Sequence, residues 1–423
     1  MRDRYAEYKD SGLEWMRYIP QHWDVVPLFS IAKENKEKNT GMICSNLLSL
    51  SYGNVIQKDI ENTFGLLPAS FETYQIVHEG YTMLRLTDLQ NDQRSLRTGY
   101  VRETGIITSA YLGLIPSDTV NKQYFQYLLH TYDIARVYYR LGGGLRQSLK
   151  YNDLKHLLIV IPPEDEQKEI ITYLDTALCK IDELIERNEK LRSLLTRYKR
   201  DLIAECVTKG LNKAAPMRPS GEDWIGDVPE HWKITKLKWM FEIVKRIYGE
   251  EDRDVLAITQ QGIKIKDMES NKGQYAESYA TYQVVNVNDF AMNSMDLLTG
   301  WVDCSLYEGV TSPDYRVFRF YEDKPQCHAY FKYLFQMCYT NRIFYRLGQG
   351  VSNLGRWRLQ TEQFRNIKLP HPPVEEQERI AAYLDEKIRQ IDAVVDGITS
   401  QIQKLKDYRR ILIHDVVTGK IKI

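Results

Sequence analysis

Residues 11–23 read SGLEWMRYIPQHW, and residues 220–232 read SGEDWIGDVPEHW. Serine, glycine, both tryptophans, proline and histidine recur at an offset of 209 positions. Outward from this pair, short matches continue in the same order. Tyr74-Gln-Ile-Val meets Tyr282-Gln-Val-Val at 208, and Thr108-Ser109 meets Thr311-Ser312 at 203. Tyr139-Arg-Leu-Gly-Gly-Gly meets Tyr345-Arg-Leu-Gly-Gln-Gly at 206, and PPEDEQKEIITYLD from Pro162 meets PPVEEQERIAAYLD from Pro372 at 210. The offsets agree at the ends and drift in the middle. Two copies therefore share a frame and differ in their inner loops, which tolerate insertion and carry function when held by a rigid scaffold. The chain is a tandem duplication.

Each copy has two parts. Residues 1–160 and 216–371 mix short β-branched and aromatic runs with turn signals, such as LLIVI at 157–161, YRVFRF at 315–320 and NIKL at 366–369. These read as strands, with helices over 121–141 and 325–347 between them. The remaining parts, 161–215 and 372–423, are of another kind. Pro162-Pro163 can open a helix but not sit inside one, and neither proline nor glycine follows until Gly210. Positions Ile170, Leu174, Ala177, Ile181, Leu184, Asn188, Leu191, Leu195, Tyr198 and Leu202 step 4-3-4-3 along the segment. The second copy repeats the steps at Ile380, Leu384, Lys387, Ile391, Val394, Ile398, Gln401, Leu405, Tyr408 and Leu412. A sustained 3.5-residue period flanked by charges specifies coiled-coil helices. Two helices of equal length with matching seams most simply pack together, with Asn188, Lys387 and Gln401 setting register. About 40 residues span about 60 Å at 1.5 Å each. Antiparallel packing places the mixed domains at opposite ends of such a rod, and parallel packing places them side by side. Gly397 weakens the second helix by about 1 kcal/mol. The expected fold class is α+β: two tandem mixed α/β domains separated by two long paired helices.

Composition narrows the function. Lysine plus arginine and aspartate plus glutamate both total 57 in 423 residues, so the net charge is zero. Each of the four segments is itself within one charge of neutral. No run of 18 apolar residues suits a membrane span, and the charged opening MRDRYAEYKD is expected not to be a secretory signal. The six cysteines form no CxxC pair and the eight histidines no cluster. Free thiols in a reducing cytoplasm, with no metal centre, are expected. There is no GxxxxGK[ST] and no GxGxxG after a strand. The Ile161-Pro-Pro sequence lacks the preceding Asn or Asp and the following aromatic of an amino-methyltransferase loop. The acids Glu164, Asp165, Glu166, Glu375 and Glu376 fit helix starts, where they offset the dipole. No catalytic group is visible.

Local charge is more telling. Residues 136–155 hold Arg136, Arg140, Arg146, Lys150 and Lys155 against Asp153, and residues 342–368 hold Arg342, Arg346, Arg356, Arg358, Arg365 and Lys368 against Glu362. Both patches follow a Tyr-Arg-Leu-Gly motif and precede the long helix. Gly143 lets backbone approach a phosphate. Gln147 and Ser148 in one patch, and Gln349, Ser352 and Asn353 in the other, add groups that suit base edges, as the arginines suit guanine and phosphates. The candidate DNA contacts are therefore Arg140, Gly143, Arg146, Gln147, Ser148 and Lys150, with Arg346, Gln349, Ser352, Asn353, Arg356 and Arg358.

The opening YKDSGLEWMRYIPQHW, its echo at Ser220 and the Pro-Pro-x-x-Glu-Gln-x-x-Ile starts at 162 and 372 resemble the specificity subunit of type I restriction-modification systems. The resemblance covers nearly the whole chain in the family's order: recognition domain, helix, recognition domain, helix. It implies a non-catalytic DNA reader whose two domains, related by a pseudo-twofold axis, each take half of a bipartite, asymmetric target. It implies helices paired antiparallel as a coiled coil that sets the gap and docks two methyltransferase subunits, which in turn support restriction subunits. S-adenosylmethionine, ATP and Mg are then expected on those partners and not on this chain. A coiled-coil adaptor with protein-binding end domains, and an atypical DNA methyltransferase or nuclease, are the alternatives. Small basic patches on a neutral chain predict weak DNA binding by this chain alone.

Overall fold

A computed structural model describes residues 4–58, 70–89, 91–92, 95–141, 148–250, 252–267, 278–350 and 357–423. The chain divides into two compact units, one formed by residues 1–188 and 401–423 and the other by residues 189–400. Each unit thus takes one mixed α/β body and a stretch of both long helices.

The two bodies have one topology. In the first unit a four-stranded antiparallel sheet runs in the order Ala32–Glu34, Leu112–Pro116, Thr82–Leu84, Thr98–Tyr100. In the second the order is Phe241–Val244, Arg316–Phe320, Phe290–Met292, Val302–Cys304. Among the described residues, four antiparallel pairs stand around each sheet at matching places in the repeat. One of them joins the strand before the long helix to the strand after the opening motif: Leu158–Ile161 with Asp24–Pro27, and Lys368–His371 with Lys233–Lys236. That pairing anchors the end of each body to its beginning.

The two expected body helices are each broken. Residues 121–141 form α1 (Lys122–Ile134) and α2 (Val137–Arg140); a further turn, α3, covers Tyr151–Leu154. Asn121 caps α1 by accepting from the Gln123 and Tyr124 amides. After the long helix α4 (Glu164–Lys209), residues 325–347 form α5 (His328–Thr340) and α6 (Ile343–Arg346). Then come α7 (Thr361–Asn366) and the second long helix α8 (Val374–Val417). The breaks fall at Arg136 and Arg342, with φ of 57° and 58°. That left-handed conformation costs an L-residue about 1–2 kcal/mol, and no propensity scale marks arginine for it.

In both units the long helices run antiparallel. In the first, Arg409 of α8 meets Asp182 of α4 at 2.9 Å, and the Tyr124 hydroxyl donates to Val417 O and Val160 O, placing the end of α8 beside the start of α4. In the second, Lys199 meets Asp392 at 2.7 Å, and the Tyr330 hydroxyl donates to Val207 O and Pro370 O. Ile170, Leu174, Ile181, Leu202, Ile380, Leu384, Ile391, Ile398 and Leu412 are buried, and Leu195 and Leu405 pack at the edge of the cores.

Leu184, Leu191, Tyr198, Val394 and Tyr408 stand outside the contact, between 44% and 55% exposed. Gln401 is exposed, and Lys387 lies over the Tyr383 ring. The inner line instead takes Leu178, Ile185, Arg192 and Lys199 on α4 and Ile388, Val395, Ile402 and Arg409 on α8, while Asn188 keeps a half-buried place. The correction is one residue, and it is the same in both copies. Beyond Ile170 and Ile380 two consecutive four-residue steps occur, a stutter that shifts the seam. Those first turns pack on the body of their own unit, where the 3.6-residue period governs. Ile391→Ala should therefore cost about 2–4 kcal/mol and Val394→Ala less than about 0.5 kcal/mol, read as urea midpoints. Equal losses would restore the other frame.

Candidate nucleic-acid interface

The opening motif and the helix start of each repeat are two halves of one clamp. The Trp23 indole donates to Glu166 Oε2 at 3.0 Å, and His22 Nε2 lies 2.8 Å from the same oxygen. Trp232 and His231 meet Glu376 Oε2 at the same 3.0 and 2.8 Å. Tyr5 donates to the other oxygen of Glu166. The next residue ties in the body helix. Gln167 accepts from the Asn121 amide at 2.7 Å and donates to Pro162 O at 2.9 Å. Gln377 accepts from the Cys327 amide at 3.0 Å and donates to Pro372 O at 2.8 Å. Of the acids expected to offset the dipole, Glu164, Asp165 and Glu375 are exposed and suit that role. Glu166 and Glu376 are instead largely buried under the tryptophans.

Beyond the α1 and α5 breaks each unit mounts its basic loop. In the first unit Arg140, at the end of α2, is exposed and 3.4 Å from Glu14. Ser148 and Lys150 are exposed, and between them Leu149 is buried with its amide on Leu86 O at 3.0 Å. Gly143, Arg146 and Gln147 lie outside the described residues. In the second unit Arg346 is exposed at the end of α6. Gln349 and Arg358 face each other through reciprocal backbone bonds of 3.0 Å, closing the loop at its base. Ser352, Asn353 and Arg356 lie outside the described residues. Leu359 donates its amide to Ser294 O at 3.1 Å, the counterpart of the Leu149 bond. A β-carbon at Gly350 would approach the Trp357 ring to 2.7 Å, so glycine is required there.

Two arginines outside the candidate set brace these mounts. Arg97 is fully buried and donates to the carbonyls of Arg85, Thr87, Asp88 and Asp92 and to the Tyr139 hydroxyl. Arg316 donates to Leu359 O at 2.9 Å beneath the second loop, and burial pulls its pKa down to about 10. A net-charge count treats both as surface cations; the available signal was their position at a strand start, Arg97 just before Thr98–Tyr100 and Arg316 opening Arg316–Phe320.

The titrating groups are structural. Burial pushes the Cys206 thiol up to about 11 and Cys304 to about 12, so both stay protonated at neutral pH. Among the described residues no group of three His, Cys, Asp or Glu side chains could hold a metal ion, and no helix is long and apolar enough to cross a membrane. Burial, then the charge of Arg409, pulls His130 down to about 4, while burial raises Asp133 to about 6. The unfolded chain protonates the histidine first, so stability is lost as pH falls from about 6.5 to 4. Asp133 acts in the opposite sense between about 4 and 6, where the folded chain holds its proton more tightly. His130→Gln should therefore remove the acid loss, gaining roughly 2 kcal/mol over the parent at pH 4 relative to pH 7, measured as urea midpoints at both pH values. Gln336 already occupies the corresponding place in α5.

A duplicated α/β body, a pair of antiparallel long helices in each unit and a basic loop mount at the same place in both repeats are the features that a comparison has to match. The family model for the type I restriction modification DNA specificity domain matches residues 98–193 and 229–404, and the chain belongs to that family. It is accordingly a specificity subunit, a non-catalytic part of a restriction complex, with two matched segments. The type I restriction enzyme MjaVIII specificity subunit of Methanocaldococcus jannaschii is 20% identical over 98% of this chain and 97% of its own length. The putative MjaX specificity subunit of the same organism is 23% identical over 72% of this chain and 69% of its own. A solved chain from a study of complex assembly and conformational transition in a type I restriction-modification system has the same fold, with a TM-score of 0.66, 14% identity and coverage of 94% of this chain and 98% of that one.

Proposed function

We propose that this subunit reads an asymmetric bipartite target in double-stranded DNA, residues 1–160 taking one half and residues 216–371 the other. Residues 161–215 and 372–423 are the spacers, which set the half-site gap and dock two methyltransferase subunits; restriction subunits join through these. S-adenosylmethionine, ATP and Mg belong to those partners, and the assembly works in the cytoplasm, where the DNA is. One observation carries the reading: the same loop mount stands at the same place in both repeats, while the loops it carries differ. A shared mount with unlike loops fits two readers of unlike sequences. Arg140, Arg346, Gln349 and Arg358, with Ser148 and Lys150, supply the described part of the contact surface.

Sequencing of methylated adenine across the host genome, with and without this chain, tests the proposal. One bipartite motif should lose its methylation when the chain is removed. Every methylated motif remaining unchanged would sink it. Because the chain is neutral, its tight binding to DNA should also need the methyltransferase subunits, whose assembly supplies the rest of the clamp on the duplex.

A further inference from the structure

A cleft of one construction opens in each unit. In the first, about 490 Å³ lies between α1 and the last part of α8, lined by His130 and Arg136 on one side and Lys406, Arg409 and Arg410 on the other. In the second, about 1040 Å³ lies between α5 and the last part of α4, lined by Lys332 and Gln336 facing Arg197, Lys199 and Arg200. The correspondence is positional. Tyr198-Lys199-Arg200 and Tyr408-Arg409-Arg410 stand 210 apart, the offset of the long helices, and Gln336 takes the place of His130 at 206, the offset of the body helices. In both clefts the inner cation is fixed by an acid at the same repeat position, Lys199 by Asp392 at 2.7 Å and Arg409 by Asp182 at 2.9 Å. The outer cation is about half exposed: Arg200 lies 3.8 Å from Asp201, and Arg410 3.1 Å from Asp407. Exposed pairs within one helix hold an arginine by only about 0.3–0.5 kcal/mol, so an incoming anion can take it over.

The two repeats diverge in the loops that follow the α1 and α5 breaks, yet keep a positive pair at the same place in both clefts. A ligand served equally by both copies does not depend on base sequence. The sugar–phosphate backbone is such a ligand, because phosphate contacts position a reader without specifying bases. Continuity supports it: Arg136 and Tyr139 line the first cleft, and Arg140, the first residue of the proposed contact surface, follows at once. We propose that these two clefts hold the DNA backbone beside each half-site, independent of base sequence, with Arg200 and Arg410 as the phosphate ligands. The proposal rests on the DNA-reading function above.

The test uses the complex of this chain with its methyltransferase subunits, comparing the parent with Arg200→Gln/Arg410→Gln on target and non-target duplexes across a salt series. Each phosphate contact removed makes the slope of log affinity against log salt shallower by about one. The double variant should lose about two from the slope on both duplexes and keep its methylation motif, and Arg200→Lys/Arg410→Lys should restore the slope. An unchanged slope overturns the proposal. If the variant instead sheds its methyltransferase subunits, as read by native mass, with the lysine form doing the same, the clefts dock protein and the proposal also fails. Failure of the underlying reading looks different: the parent complex itself would show no preference for any duplex.

Discussion

Truncating Trp232 to alanine should destabilise the second unit by about 3–5 kcal/mol, the range for removing a large aromatic from a core. Its indole is fully buried and its Nε1 is the donor that satisfies Glu376. The truncation leaves a cavity and a largely buried carboxylate short of one donor, and the two costs act together. Trp23→Ala should do the same to the first unit. Trp239→Ala is the control: that ring is exposed, and its loss should cost less than about 0.5 kcal/mol. Glu376→Gln separates the terms, because it keeps an acceptor for the indole and removes the charge facing His231. Urea unfolding followed by tryptophan fluorescence and by far-ultraviolet dichroism measures all of them. A small effect at Trp232 would mean that the opening motif does not clamp the helix.

The second large effect is on recognition. Arg346→Ala with Arg358→Ala should weaken binding of the assembled complex to its target by roughly 30- to 25,000-fold, at about 1–3 kcal/mol for each specific contact. The loss should be selective. Base changes in the half-site proposed for residues 216–371 should lose their penalty, while changes in the other proposed half keep theirs. Arg346 is exposed, and Arg358 closes the loop through its backbone, so the fold survives both truncations. Competition binding with a panel of single-base variants reports the pattern. Unchanged affinity and selectivity would remove these arginines from the reading surface.

The repeat and its division into body and helix were legible because they are written in identities: tryptophans, prolines and glutamines at fixed offsets. Placement of the helix seam was legible only to one residue. Ile181, Asn188, Leu195 and Leu202 belong to both possible heptad frames, and the choice between Leu184 and Ile185 depends on the face presented by the first turns to the body. The breaks at Arg136 and Arg342 were hidden, since a left-handed arginine is imposed by surrounding packing. The clamp was hidden for another reason. Trp23 and Glu166 both stood out as repeated, but a link across 143 positions is tertiary. The clefts left a trace in the recurring Tyr-Lys-Arg and Tyr-Arg-Arg triplets, which the seam reading absorbed as one aromatic apiece. Among the DNA-contact candidates, Arg140, Ser148, Lys150, Arg346, Gln349 and Arg358 lie on or beside the loop mounts. Local charge singled out these positions as candidates, each within or just after a Tyr-Arg-Leu-Gly motif that both repeats share.

The clamp also bears on how such a protein changes its target. Both borders of each body carry the same chemistry, histidine and tryptophan at one edge and glutamate and glutamine at the other. A genetic exchange that moves everything between His-Trp and Pro-Pro from one repeat to the other would find matching sockets at both junctions. A crossover within a body would leave strands and helices from different parents to fit one core. The borders therefore act as cassette joints, and whole bodies can be shuffled while the long helices stay untouched.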